Sequence, residues 1–325
     1  MQRWDGLGPM PADWPGCVVT IGVFDGVHRG HQRIIAASVE RARERGLPAV
    51  VVTFEPHPSG VLRPGTQPLL LTTPRQKAEL LAALGVDVLC VLPFTTEFSR
   101  LDAAEFVRTT LVEGLLARHV VVGANFRFGS RAAGDVALLD RLGAEWGFTV
   151  EGGRLFGEGE RVWSSTFIRG CIAEGDVVTA AAALGRPHRV EGVVVHGDGR
   201  GRGLGYPTAN LAAPGAYAVP ADGVYAGWLL REPRSGRPPA SAPRWPAAVS
   251  VGTNPTFDGV ARRVEAYVLD REVDLYDLEV AVEFGERLRG MERFESVDAL
   301  VEQMHDDVRR ARELLAAGRF APPRG

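Results

Sequence analysis

Cysteine, net charge and long apolar runs are all scarce in this chain. Its 325 residues include 3 cysteines, Cys17, Cys90 and Cys171, set far apart in apolar or helical contexts. That number and spacing exclude a disulfide scaffold and offer no metal-binding pattern, so buried, reduced thiols are expected. No apolar run approaches the roughly 20 residues that cross a bilayer. The opening "MQRWDGLGPM" lacks the charged-then-apolar order of a signal peptide. A cytoplasmic protein without a membrane partner is the expectation. A net charge of −3 provides no basic footprint for nucleic acid either. Any phosphate binding has to come from local sites.

What is present supports packed cores. Apolar residues make up 45% of the chain and charged residues 24%, and the length suggests two domains. The first half alternates β-branched runs with amphipathic segments. Its spacing predicts strands at residues 18–23, 48–54, 86–92 and 119–123. Helices are predicted at 30–45, stopped by Gly46, at 74–84, opened by Pro74, and at 102–118. Buried strands separated by helices indicate an α/β doubly wound parallel sheet. After "AAALGRPHRV" the segments become short, turn-separated and β-like, as in a small antiparallel barrel or sandwich, with one closing helix at 297–316. The expected domains are 1–186 and 187–325. "REPRSGRPPASAPRWP" (231–246) is rich in Pro, Arg and Ser and reads as a mobile loop, and residues 200–205 as a moving flap.

Chemistry concentrates first in "GVFDGVHRGH", residues 22–31, between a strand and a helix. Such a turn lies at the C-terminal edge of the sheet, where α/β proteins bind ligands. Helix-start amides attract anions, and Gly22, Gly26 and Gly30 let backbone and phosphate approach closely. His28 and His31, three apart, share a face of the first helical turn and point hydrogen-bond donors at phosphate oxygens. Asp25 is open to two roles, helix capping or nucleotide contact. The stretch has neither a G-x-G-x-x-G dinucleotide fingerprint nor a Walker lysine, and lacks zinc-pair spacing. Further along, Ser164, Ser165 and Thr166 are helix-capping types that can present amides and hydroxyls to phosphate, flanked by Arg161 and Arg169.

The turn resembles the H-x-G-H signature of the nucleotidyltransferase superfamily. Three more stretches narrow the likeness to bacterial bifunctional riboflavin kinase/FAD synthetases: "TFEPHP" (53–58), "GANFRFG" (123–129) and "WSSTFIR" (163–169). Trp163 stands in place of the family's usual isoleucine, and Val23 where many relatives have asparagine; both are apolar and leave the chemistry in place. The resemblance implies ATP contacts from Gly22, Phe24, Asp25, Gly26 and Gly30. It implies flavin contacts from Phe54, Pro56, His57, Pro58, Phe126 and Phe128, with Asn125 beside His28 and His31 among the catalytic groups. The phosphate of FMN would attack the α-phosphorus of ATP in line and release pyrophosphate, with Mg²⁺ sharing the charge.

A second site opens the β-rich half with "GDGRGRGLGYPTANL" (197–211). It is too short and unrepeated for an RNA-binding Gly-Arg tract. "PTAN" is similar to the riboflavin kinase signature, a small β-barrel with a C-terminal helix. The likeness implies that Thr208 and Asn210 hold Mg²⁺ and phosphates, and that Gly201, Gly203 and Gly205 cover ATP. "VEAYVLD" (264–270) resembles the segment that carries the family's catalytic glutamate, here Glu265, as base toward the riboflavin 5′-hydroxyl. Ser296 is expected to cap the closing helix, and Arg287, Arg289 and Arg293 are open candidates for gating the flavin. The family's ligands are riboflavin, FMN, FAD and ATP, and a monomer or transient homo-oligomer is expected. Two other functions compete: a related transferase acting on another phosphate, which would have no use for "PTAN" and "VEAYVLD", and a flavin-binding protein with vestigial catalytic groups.

Overall fold

In a computed structural model of the chain, residues 1–153, 157–158, 161–196, 203–212, 215–231, 243–256, 259–271 and 273–318 are described. Backbone contacts divide the chain into two units, residues 1–68 with 74–164, and residues 69–73 with 165–325.

The first unit runs β1 (Gln2–Asp5), β2 (Cys17–Ile21), α1 (Arg29–Arg45), β3 (Ala49–Glu55), α2 (Pro58–Leu62), α3 (Pro74–Ala83), β4 (Val88–Pro93), α4 (Ala103–Phe106), β5 (Ala117–Gly123), α5 (Val136–Trp146) and β6 (Thr149–Gly153). A two-stranded hairpin follows, β7 (Gly157–Glu158) and β8 (Arg161–Val162). Strands β1 to β6 form one parallel sheet in the order β1-β4-β3-β2-β5-β6. Side chains alternate between its faces. Val18, Val51, Leu89 and Val121 meet Ile35 and Val39 of α1 and Leu81 of α3. Val19, Val50, Val52 and Val120 meet Phe106, Leu111 and Leu139 on the opposite side. Both faces are covered, so the sheet is doubly wound.

Three local expectations need correction. β1 has no apolar run to announce it, yet Gln2 to Asp5 pair with Val88 to Val91 at the sheet edge. The strand expected at 18–23 stops at Ile21, because Phe24 takes φ 49° and turns the chain away. The helix expected at 102–118 is α-helical only through Phe106, continues as a π-helix over Val107–Gly114, and ends there. Leu116 at φ 51° redirects the chain so that Ala117 can pair with Cys17. That long-range pairing overrides the local helical pattern.

The second unit comprises α6 (Ser165–Glu174), α7 (Val177–Leu184), β9 (His188–Val195), β10 (Ala209–Ala212), β11 (Gly223–Arg231), β12 (Arg244–Thr256), β13 (Gly259–Val268), β14 (Glu279–Arg289) and α8 (Val297–Ala316). Its six strands close into an antiparallel barrel, β10-β13-β12-β11-β14-β9. Closure removes every exposed strand edge. Residues 69–73 join this unit: the Leu70 N–H donates to the Ala216 carbonyl at 2.8 Å, and the Thr73 hydroxyl to Glu191 at 2.9 Å. Ser296 caps α8 as expected, accepting from the Ala299 N–H at 3.1 Å. Residues 232–242 of the expected mobile loop lie outside the described residues, while Arg231 ends β11 and 244–246 begin β12.

Helix α8 is tied to the barrel by an ion pair between half-buried Arg289 and buried Asp307. Arg289 donates to both oxygens of Asp307 at 2.7–3.0 Å, and the Gln303 amide adds a bond at 3.1 Å. Removing the carboxylate leaves a half-buried guanidinium without its acceptors. Asp307→Ala is expected to cost about 1–3 kcal/mol of the unit's stability. Denaturant unfolding checks this; an unchanged midpoint would contradict it.

Candidate active sites

In the first unit, β2 and β5 are neighbours, but the chain leaves them in opposite directions, toward β3 and β4 on one side and toward β6 on the other. The loops after β2 and β5 therefore diverge and open a crevice at the carboxyl ends of the strands. "GVFDGVHRGH" follows β2, and "GANFRFG" follows β5. Topology thus brings His28, His31 and Asn125 to one edge of the sheet, with Asn125 exposed there.

His28 is the N-cap of α1, and its Nδ1 accepts the His31 N–H at 3.4 Å. A neutral His28 ring then carries its proton on Nε2, as a donor. The two imidazoles stack with centroids 3.6 Å apart, and Phe24 meets His31 edge-on at 5.2 Å. Among the described residues His31 Nδ1 is buried with no hydrogen-bond partner, a group that a ligand can satisfy. Burial, the adjacent His28 and Lys77 hold the His31 imidazole well below its ordinary pKa. The glycines have an internal reason as well. A Cβ on Gly30 would sit 3.0 Å from the His28 ring, and one on Gly22 would sit 2.9 Å from the Phe24 ring.

Asp25 does not cap the helix, because His28 does. It is buried, and its charge acts on Lys77 of α3. The Lys77 ammonium, itself buried, donates to the Val23 carbonyl at 3.0 Å, and the Thr53 hydroxyl donates to the same oxygen at 3.0 Å. Sequence reasoning missed Lys77. A signal existed: it is the only lysine in a chain whose other basic side chains are arginines.

Aromatic rings line the neighbouring strand ends. Phe54 contacts Phe94 and Phe98, Phe98 contacts Phe106, and Phe106 leads to Phe128 and Phe126, with centroids 5.4–5.9 Å apart. Phe94 and Phe98 join this row from segments without a motif, and Phe106 joins it from the core. Pro56 is exposed and Pro58 opens α2. His57 caps α2, its Nδ1 accepting the Ser59 N–H at 3.2 Å. Trp163 lies beside the histidine turn: Arg29 stacks over its ring at 5.4 Å. Ser164 closes the first unit, and Ser165, Thr166 and Arg169 fall in the opening turns of α6. The Arg161 side chain and Gly201 lie outside the described residues.

In the barrel, Thr208 lines a cavity of about 710 Å³ together with Gly205, Pro207, Ala209, Asp274 and Tyr276. Gly203 lies just before it. Asn210 on β10 pairs directly with Glu265 on β13, and Glu265 pairs with Ser250 on β12. Directly opposed residues point to the same face of a sheet. Here that is the face opposite Leu211, Val264 and Ala266, which fill the barrel core. The Asn210 amide also donates to the Thr208 carbonyl at 3.5 Å. The "PTAN" stretch and "VEAYVLD" are thereby brought together across more than 50 residues of sequence, and Ser250 is added to them. Arg287 is held by the Asp222 and Glu174 carbonyls and Arg289 by Asp307, while Arg293 is exposed and has no partner among the described residues.

Comparison with known proteins agrees with this division. A model of the FAD synthetase family matches residues 10–167, and a riboflavin kinase model matches residues 184–315. A bifunctional riboflavin kinase/FMN adenylyltransferase of Pseudomonas fluorescens is 41% identical over 97% of this chain and 98% of its own. The protein of that name from Escherichia coli K12 is 38% identical over 92% of this chain and 93% of its own. The chain belongs to the bifunctional riboflavin kinase/FMN adenylyltransferase family. Within this family the first match spans His28, His31 and Asn125 and ends at Phe167, and the second spans Thr208, Asn210 and Glu265. A crystal structure described as a macrolide-efflux protein from Streptococcus pneumoniae has a TM-score of 0.85 at 33% identity, covering 96% of this chain and 99% of that one. Efflux is said of that protein alone. In this family member no helix among the described residues is long and apolar enough to cross a membrane.

Proposed function

We propose that the two family activities divide between the two units, the barrel phosphorylating riboflavin and the parallel-sheet unit adenylylating the product. The chain is a riboflavin kinase and FMN adenylyltransferase, with ATP and flavins as substrates. Riboflavin and ATP give FMN and ADP; FMN and a second ATP give FAD and pyrophosphate. The observation that carries the division is the presence in one chain of a stacked histidine pair at a sheet switch point and an Asn–Glu pair on a closed barrel.

In the barrel, Glu265 accepts the proton of the riboflavin 5′-hydroxyl as its oxygen attacks the γ-phosphorus and ADP leaves. Thr208 and Asn210 offer neutral oxygen ligands, and no group of three His, Cys, Asp or Glu able to cage a metal exists among the described residues. That donor set fits Mg²⁺, which takes few protein ligands and completes its shell with phosphate and water. When bound it supplies charge neutralisation on the phosphates. In the first unit the FMN phosphate is already an anionic nucleophile, so the protein's work is alignment and stabilisation of charge at the α-phosphorus. His28 and His31 donate to those oxygens with Asn125, and the half-buried rings of Phe54, Phe94, Phe98 and Phe126, with Pro56, His57 and Pro58, receive the flavin ring, Phe128 backing them from the core. Ser164, which closes this unit, adds a hydroxyl donor toward phosphate.

A transferase for another phosphate would have no use for the barrel pair, and a storage protein no use for donors poised at phosphorus. The three cysteines are free and buried, which supports a cytoplasmic site of action, with the chain a monomer or transient homo-oligomer. Incubation of the purified chain with riboflavin, ATP and Mg²⁺, followed by chromatography, is expected to yield FMN, FAD, ADP and pyrophosphate. FMN alone would reject the role of the first unit, and no flavin product would reject the whole reading.

A further inference from the structure

Lysine is nearly absent from this protein. Of its 37 lysine and arginine residues, Lys77 alone is lysine. Solvated positions have gone to arginine throughout, including the surface pairs Arg41–Glu44, Arg309–Asp306 and Arg312–Asp270. Lysine persists at one position, which is buried at 8% exposure beneath the histidine turn.

A buried ammonium is costly unless it is bonded and paired. Lys77 donates to the Val23 carbonyl at 3.0 Å; burial pushes its pKa down, and the charges of Asp25 and Glu55 oppose that shift. A lysine head is compact and sits on a flexible stem, whereas guanidinium is a wide planar fork. A slot with one carbonyl acceptor suits the former.

The carbonyl it holds belongs to a strained turn. Phe24 and Val27 adopt φ 49° and 39°, the left-handed region that side chains with a Cβ disfavour. Such strain persists only where the surroundings over-determine the backbone. Burial of Phe24 and Val27 in the α1–α3 core supplies part of that constraint. Lys77 and Thr53, converging on Val23 from α3 and β3, supply the rest. The turn ends at His28, and its shape sets where both imidazoles point.

We propose that Lys77 is a positioning residue of the adenylyl-transfer site, fastening the strained turn through Val23, balancing Asp25, and thereby aiming His28 and His31. The inference rests on the reading of this turn as that site. His31 is faced by His28 from the helix cap and by Lys77 from α3, with Asp25, Glu55 and, from β1, Arg3 acting on Lys77. Loss of the Lys77 charge therefore moves the histidine titration upward in pH.

Lys77→Met keeps length and apolar stem and removes the ammonium. Its kcat for FMN adenylylation is expected to fall about 10–100-fold, the cost of a misaligned site. The pH profile of that step should shift upward, while riboflavin phosphorylation by the same preparation stays within about twofold. Wild-type adenylylation, or a loss confined to KM, overturns the proposal. His28→Ala is assayed in parallel: if it retains adenylylation, the reading of the turn fails; if it loses activity and Lys77→Met does not, only the lysine's role fails. A labelling measurement covers the case in which Lys77→Met does not fold. Protein carrying ¹³C-lysine gives one side-chain signal, expected to titrate below ordinary lysine and to move on addition of FMN with pyrophosphate. A solvent-like signal indifferent to both ligands overturns the proposal.

Discussion

Glu265→Gln is expected to lower riboflavin phosphorylation by about 10²–10⁴-fold, the usual contribution of a general base, and to leave adenylylation of supplied FMN unchanged. The substitution preserves size and hydrogen bonding but removes the proton acceptor. It also preserves the strand, because residue 265 stays paired with Asn210 on one side and Ser250 on the other. Asn210 carries a neutral amide and Ser250 a hydroxyl, so Glu265 is the one proton-accepting carboxylate beside them. The Asn210 amide also donates to the Thr208 carbonyl. Riboflavin and ATP turnover, read as FMN by chromatography, checks the prediction. A variant with wild-type kinase turnover would remove Glu265 from the chemistry and leave the Asn210 row as a structural feature of the barrel.

The second large effect concerns the histidines. His28→Ala and His31→Ala are each expected to reduce adenylyl transfer by roughly 10²-fold or more, the scale of losing one preorganised donor. His28 needs a control, because its ring is also the cap of α1. Cap loss alone costs about 0.5–2 kcal/mol of stability. His28→Asn keeps a capping side chain and removes the imidazole donor, so it should fold as wild type and still lose transfer. His31 sits one turn on, its Nδ1 buried beside Phe24 and without a partner among the described residues. Its alanine variant should leave the helix intact. Pyrophosphate release from FMN and ATP, measured against the kinase activity of the same sample, separates chemistry from unfolding. If His28→Asn and His31→Ala both form FAD at wild-type rate, the stacked pair is not the transfer site.

Much of this architecture is local in origin and was legible as such. Apolar runs broken by amphipathic segments point to a covered parallel sheet, since only burial on both faces tolerates strands like "CVVTI" and "AVVVT". Gly46 past α1 and Ser296 before α8 mark helix ends through their own dihedral and hydrogen-bonding preferences. The strand–turn–helix around His28 and His31 was readable for the same reason: everything that defines it lies within a short window of the chain.

Other features depend on pairings that no window of sequence contains. The helix expected at 102–118 gave way to a π-helix and a turn because Ala117 had to meet Cys17. That Asp25 does not cap the helix was visible only in the structure, where His28 caps α1 and Asp25 lies buried with its charge acting on Lys77, a residue more than 50 positions away. Among the three candidate arginines, packing committed Arg287 to carbonyls and Arg289 to Asp307, leaving Arg293 exposed. From sequence alone came the chemistry available to this protein: the histidine turn, the "PTAN" strand, the glutamate segment and the two-part organisation. Tertiary structure alone decided which of those groups stand together, because barrel closure sets the Asn210–Glu265 register and strand order sets the crevice between β2 and β5. Periodicity and turn preference act over a few residues, whereas register and burial are settled only when distant segments close on one another.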